Sequence, residues 1–253
     1  MKFRIACVVL PVLLPALLLT GCGKGDSTGN ISTPAAEKVA GAKPPAGQNW
    51  VDVVSKTPEG GYRMGNPDAP VKLIEYGSRS CPHCAAFDAE GVPTLRSGPI
   101  AAGQMSYEFR DFPVHGAVDM GPILLGQCVE PAQFFAMLDQ MMAAQPTLVG
   151  RKDKIPDADQ ARLQTASPGQ VAVYLANFYG YTDFVKQRGV PEAKVKACLS
   201  DAKALDAIAK QTETANQQYN VSGTPTFIVN GKVATDVYTW DALQPVLRAA
   251  GAL

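Results

Sequence analysis

The stretch Ser78-Arg79-Ser80-Cys81-Pro82-His83-Cys84-Ala85 decides how this chain is read. It holds two of the six cysteines, separated by a proline and by one of only two histidines. Three chemistries compete for that pattern: a redox-active dithiol, half of a metal site, and a short structural disulfide. The flanking residues bear on the choice. Val71-Lys72-Leu73-Ile74-Glu75-Tyr76 follows the turn-rich Gly65-Asn66-Pro67-Asp68-Ala69-Pro70 and reads as a buried strand. After Gly77 comes a small loop, and Cys84 to Leu95 reads as helical. Pro82 fits the first turn of that helix, where its missing N–H costs nothing, and Cys81 then lies at the helix N-terminus.

Unpaired backbone N–H groups and the positive dipole end favour an anion at that position, and a thiolate is one. A protonated His83 and Arg79, two residues upstream, add positive potential, and such surroundings lower a cysteine pKa to about 3.5 to 7.5. Cys84 falls on the same helical face, close enough to close a disulfide and more buried. A structural bridge needs no such electropositive frame. A zinc site wants two further Cys or His ligands at comparable spacing, and the sequence has no second CxxC or HxxxH.

Glu75 lies six residues before Cys81 in a strand otherwise filled by Val71, Leu73 and Ile74. If the strand is buried on both faces, desolvation raises the carboxyl pKa, and the group can exchange a proton with Cys84. A solvated edge glutamate is the alternative.

The chain has 253 residues, 46% apolar and 18% charged, which suits one sizeable globular domain. Lys plus Arg balance Asp plus Glu at 23 each, so no basic field offers itself to nucleic acid. Residues 1–21 read as a signal peptide: Lys2 and Arg4 precede an apolar run broken by Pro11 and Pro15, and Leu19-Thr20-Gly21-Cys22 follows. That ending resembles a bacterial lipoprotein lipobox, which implies an acylated Cys22, a lipid anchor and a periplasmic location. Residues 22–49, rich in Gly, Ser, Thr, Ala and Pro, read as a flexible tether whose ends lie roughly 30 Å apart. In that oxidising space disulfides persist, and Cys81, Cys84, Cys128 and Cys198 remain once Cys7 and Cys22 are set aside. Four cysteines allow three pairings, of which adjacency favours Cys81 with Cys84.

Near the C-terminus, Val221-Ser222-Gly223-Thr224-Pro225-Thr226-Phe227-Ile228-Val229-Asn230-Gly231-Lys232 reads as a loop, a proline at the entry of an apolar strand, and an Asn-Gly hairpin turn. With this element in place the chain, from Gly61 onward, resembles the DsbA-like thiol-disulfide oxidoreductases of the thioredoxin superfamily. The matching pieces are Gly65 to Val71, Ile74-Glu75-Tyr76, Cys81-Pro82-His83-Cys84, Arg110-Asp111-Phe112-Pro113-Val114-His115 and Gly223-Thr224-Pro225-Thr226-Phe227.

The resemblance implies an α/β thioredoxin fold with a large inserted α-helical domain. Residues 50–113 and 220–253 would form the thioredoxin domain, and 114–219 the insertion. It implies Cys81 as nucleophile, Cys84 as resolving thiol, Glu75 as buried acid, and Thr224 with a cis Pro225 facing the thiols on the substrate side. It further implies a structural bridge between Cys128 and Cys198. No cofactor is needed beyond the Cys81–Cys84 disulfide. The expected partners are reduced or unfolded exported proteins and a membrane redox partner that recycles a monomeric enzyme. The expected activity is dithiol oxidation. A reductase or isomerase of the same fold, or a metal-binding lipoprotein, is the alternative.

The stretch Gly77-Ser78-Arg79-Ser80 lacks the aromatic pair of many relatives, which implies a more polar rim to the substrate groove. His115 reads as a surface or helix-start residue, and Met137, Met141 and Met142 as helical core. Gly121-Pro122 obscures the limits of the first inserted helix.

Overall fold

Six strands make one mixed sheet: β1 (Val54–Lys56), β2 (Tyr62–Gly65), β3 (Val71–Gly77), β4 (Met105–Asp111), β5 (Thr226–Val229) and β6 (Lys232–Val233), in spatial order β1-β2-β4-β3-β5-β6. The computed structural model describes residues 36–150 and 154–253. The signal peptide, Cys7, Cys22 and the first part of the tether lie outside the described residues.

β3 lies between β4 and β5 and is buried at Val71, Leu73, Glu75, Tyr76 and Gly77, with Lys72 exposed near its start. It pairs parallel with β4, placing Gly77 beside Asp111, and antiparallel with β5, placing Glu75 opposite Phe227. β5 and β6 are joined at Asn230-Gly231, both at positive φ as a tight Asn-Gly hairpin demands. The Asn230 carboxamide oxygen also accepts the Lys72 N–H at 2.8 Å and ties the hairpin to the start of β3.

The connection from β3 to β4 carries α1 (Pro82–Glu90) and α2 (Val92–Leu95), followed by a π turn over Arg96–Ile100. The single helix expected to Leu95 is therefore broken at Gly91. A side chain there would overlap the rings of Phe87 and Trp240, and Pro93 restarts the chain as the second residue of α2. Beyond β4 lie α3 (Ala117–Gly126), α4 (Phe134–Leu148), α5 (Asp157–Leu163), α6 (Pro168–Phe178), α7 (Tyr181–Lys186), α8 (Glu192–Leu199) and α9 (Ala202–Tyr219), and α10 (Trp240–Ala249) closes the chain. α6 begins with a reciprocal capping box between Ser167 and Gln170, and α10 with a Thr239 cap. α3 runs through Gly121-Pro122 without interruption. Gly121 there lets the α3 backbone approach Ala172 and Ala176 of α6.

Three apolar clusters form among the described residues, the smallest joining Tyr76, Phe112, Ala215, Val221 and Ile228. The first packs Leu73, Tyr107, Phe109 and Phe227 of the sheet against Phe87, Leu95, Leu243 and Leu247. The second gathers Ile123, Leu125, Ala172, Tyr181, Val185, Val195 and Ile208 from the helices after β4. α4 serves both: Phe134, Phe135, Leu138 and Met142 face the sheet core, Met137 and Met141 the helical one. The three methionines are thus core side chains. Cys128 and Cys198 form a disulfide with Cα atoms 6.0 Å apart, joining the end of α3 to α8 across 70 residues of sequence.

The tether is shorter on its domain side than composition suggests. Val39 N–H donates to the Gly251 carbonyl, Gln104 donates to the Val39 carbonyl, and Trp50 Nε1 donates to the Ala42 carbonyl at 2.7 Å. Low hydrophobicity argued for a free coil, but here backbone groups bind to the domain. Gly103 and Gly251, both at positive φ, leave room for that approach.

Candidate active site

The thiols lie where β3 and β4 end. Gly77 is the last residue of β3, and a Cβ there would collide with the Phe109 ring and approach Glu75 Oε1 to 2.8 Å, so only glycine lets the chain leave the sheet at this point. The loop that follows is buried throughout: Ser78 and Arg79 are 0% exposed and Ser80 4%. The expected polar rim is therefore absent, because these residues face inward and are spent on hydrogen bonds.

Arg79 Nε and Nη2 form a bidentate pair with Asp111 at 2.7 and 3.1 Å. The guanidinium lies over Phe134 at 5.1 Å, and Gly126 of α3 leaves the space that it fills. Its charge is thus neutralised by Asp111, and the positive potential expected from it at Cys81 does not materialise. Ser78 Oγ and Ser80 Oγ both donate to Asp119 Oδ1, at 2.9 and 2.5 Å. Gln145 of α4 donates to the carbonyls of Arg79 and Cys81, at 3.1 and 3.0 Å. The loop closes its own turn through Cys81 N–H to the Ser78 carbonyl and Ser80 N–H to Ser78 Oγ, and Asp111 of β4 with Asp119 and Gln145 of the helices beyond holds that turn in place.

Cys81 is the N-cap of α1 and Pro82 its first residue. Both motif thiols are free and buried, whereas Pro82 and His83 are exposed. The Cys81 thiol donates to the Thr224 carbonyl at 3.2 Å, and the Thr224–Pro225 peptide bond is cis. A hydrogen bond from the Cys84 thiol, aided by Thr224 and by the backbone N–H groups of Cys84 and His83, outweighs burial and lowers the Cys81 pKa to about 5. Burial, the Cys81 partner and Glu75 push the Cys84 pKa well above its ordinary value. His83 acts on Cys81 here through its backbone N–H, while its imidazole points to solvent. Among the described residues, no group of three or more His, Cys, Asp or Glu side chains is placed to hold a metal ion.

Glu75 is 1% exposed, so it is not a solvated edge residue. Its Oε2 accepts the Tyr107 hydroxyl at 2.5 Å, while Oε1 has no protein partner. Burial raises its pKa to about 8 against the opposing Tyr107 bond. Beneath Cys84, then, lies a carboxyl that holds its proton near neutral pH and can surrender it.

The sequence brought Cys81, Cys84, Glu75, Thr224 and Pro225 into consideration, and the structure gathers all five. Cys128 and Cys198 lie apart in the helical core. Reading the sequence missed Asp111, Asp119, Gln145 and Tyr107. The first of these stands in the Arg110-Asp111-Phe112 segment that had been noticed for other reasons, and nothing local marks Gln145 or Asp119.

The thioredoxin family profile matches residues 57–249. A putative protein-disulfide oxidoreductase of Rickettsia bellii is 25% identical over 220 residues, covering 87% of this chain and 75% of its own. Disulfide bond formation protein D of Bacillus subtilis is 25% identical over 202 residues, covering 78% and 81%. Among solved structures, a protein-disulfide isomerase from Novosphingobium aromaticivorans superposes with a TM-score of 0.69 at 30% identity, over 74% of this chain and 95% of that one. With a free thiol pair capping a helix beside a cis proline, the chain belongs to the thioredoxin family, as a DsbA-like thiol-disulfide oxidoreductase.

Proposed function

We propose that this enzyme is a lipid-anchored periplasmic dithiol oxidase that introduces disulfides into exported proteins through Cys81 and Cys84. The observation that carries the direction is the unequal pair of thiols, one held as a thiolate and the other kept protonated. A substrate thiolate attacks Cys81 Sγ of the oxidised enzyme, the Cys81–Cys84 bond breaks, and Cys84 leaves and takes a proton, for which Glu75 is the nearest acid. A second substrate thiolate then attacks the substrate sulfur of the mixed disulfide and expels Cys81 as its stabilised thiolate. Two electrons have passed to the enzyme dithiol, and a membrane redox partner removes them. The backbone beside Thr224 and Pro225 offers groups for an extended substrate segment. No organic cofactor enters the cycle.

A folded thiol pKa of about 5, below the ordinary 9, stabilises the reduced native state fully above pH 9. The gain shrinks as pH falls and is gone below about 5. At pH 7 it still amounts to something on the order of 2 kcal/mol, and a fold that prefers its dithiol oxidises its substrates. Thermal melts at pH 7, with the Cys128–Cys198 bridge intact, should therefore show the reduced form melting above the oxidised one. His83→Ala should narrow that gap only slightly, since the imidazole is exposed. An oxidised form that melts clearly higher would reverse the direction to reductase or isomerase, the activity named for the Novosphingobium structure.

Anchoring is tested separately. Wild-type protein should sediment with membranes and Cys22→Ser should be released as soluble periplasmic material. Recovery of the wild type without detergent in the soluble fraction would remove the lipid anchor from the reading.

A further inference from the structure

We propose that His115 is a positioning residue for thiol-disulfide exchange, holding the turn that presents Cys81 through its contact with Ser80. This rests on the reading of Cys81 as the attacked sulfur.

His115 stands two residues before α3, at the end of the Pro113-Val114 segment. Gly116 follows with φ +59° and ψ −124°, a conformation that side chains disfavour, and it turns the chain so that the imidazole reaches back over the redox loop. Nδ1 of His115 lies 2.7 Å from Ser80 Oγ, while half of the side chain remains in solvent. Ser80 immediately precedes Cys81. Its hydroxyl has one proton, and that proton goes to Asp119 Oδ1. With that proton given to Asp119, the His115 tautomer that carries hydrogen on Nδ1 donates to Ser80 Oγ.

Asp119 closes the ring. It is 0% exposed, accepts from Ser78, Ser80 and the His115 backbone N–H at 2.8 Å, and lies 3.8 Å from His115 Nδ1. Tyr181 of α7 also lies near it, and burial raises the Asp119 pKa while the bonds from Ser80, the His115 N–H and Ser78 oppose the rise. From Asp119 the same network reaches Ser78, whose backbone N–H donates to Cys84 Sγ at 3.4 Å. His115 is thus linked through Ser80 and Asp119 to both sides of the thiol pair.

The test uses the full chain with its bridge intact. The rate at which a small dithiol reduces the Cys81–Cys84 disulfide is measured at pH 7, beside the melting temperature. His115→Ala should lower that rate by up to about tenfold, the worth of one positioned hydrogen bond. His115→Asn, whose amide can stand where Nδ1–H stood, should restore it. An unchanged rate in His115→Ala, or equal losses in both variants tracking a lower melting temperature, would overturn the proposal. The same His115 effect in an enzyme whose oxidised form melts above its reduced form would revise the oxidase direction and leave this proposal standing.

Discussion

Cys128 is buried nearly as deeply as Cys84, with its partner Cys198 only half-buried, yet the surroundings of the two pairs give them opposite characters. Cys84 is 0% exposed and Cys128 4%. Around Cys128 and Cys198 stand Val129, Met137, Val195 and Leu199, and Cys128 Sγ lies 3.5 Å from the Lys194 carbonyl. Around Cys81 and Cys84 stand a helix N-terminus, the Thr224 carbonyl, the Ser78 N–H and the proton-bearing Glu75. Depth excludes solvent, but the polar groups that remain decide whether a sulfur reacts.

Exchanging each pair for serine or alanine should break that comparison most visibly. Cys81→Ser should abolish exchange outright, and Cys84→Ser should accumulate mixed disulfides with substrate, because Cys81 is attacked while Cys84 clears the adduct in the reducing direction. Non-reducing gels of periplasmic extracts read both outcomes. Equal trapping by the two variants would make the thiols equivalent and contradict their unequal surroundings.

Removing the other pair should leave the chemistry and cost the fold. The bridge closes 70 residues of chain, for which the chain-entropy model assigns about 4 kcal/mol as an upper figure. Cys128→Ala with Cys198→Ala should shift the denaturation midpoint accordingly, while the exchange rate per folded molecule stays within about twofold of wild type. A large loss of rate at full folding would mean that α3, with its Asp119 and Gly126 contacts to the redox loop, depends on the bridge for its position.

The same contrast explains what could be read in advance. Cys81, Pro82 and Cys84 announce themselves because strand, loop and helix start are all local patterns within fifteen or so residues. Glu75 is legible as an acid in an apolar strand. Arg79 misled because spacing along the chain does not say which way a loop side chain turns. Here it turns away from Cys81 toward Asp111 and the gap at Gly126. Asp119 and Gln145 come from helices more than thirty residues away, and only packing brings them to the loop. Docking of Val39 onto the Gly251 turn was hidden for the same reason: it is made of backbone hydrogen bonds, which composition does not encode.

The smallest effect concerns Glu75, and its sign follows from where the proton is held. Folding raises this carboxyl from 4.5 to about 8, so between those values the native state keeps a proton that the unfolded chain releases. Native stability therefore falls as pH rises through that window, relative to a residue that never ionises. Glu75→Gln keeps an oxygen for the Tyr107 hydroxyl and removes the ionisation. Melts of the two proteins should coincide near pH 4 and diverge as pH rises, the variant gaining on the order of 2 kcal/mol at neutral pH. No cysteine outside the motif feels a comparable group, so the stability gain should persist when the Cys128–Cys198 bridge is absent. The exchange rate should move the opposite way, since Cys84 loses its proton donor when it leaves the disulfide. A variant no more stable at pH 8 than at pH 4 would mean that Glu75 is ionised in the native state, and Cys84 would then lack the protonated neighbour that serves it when it leaves the disulfide.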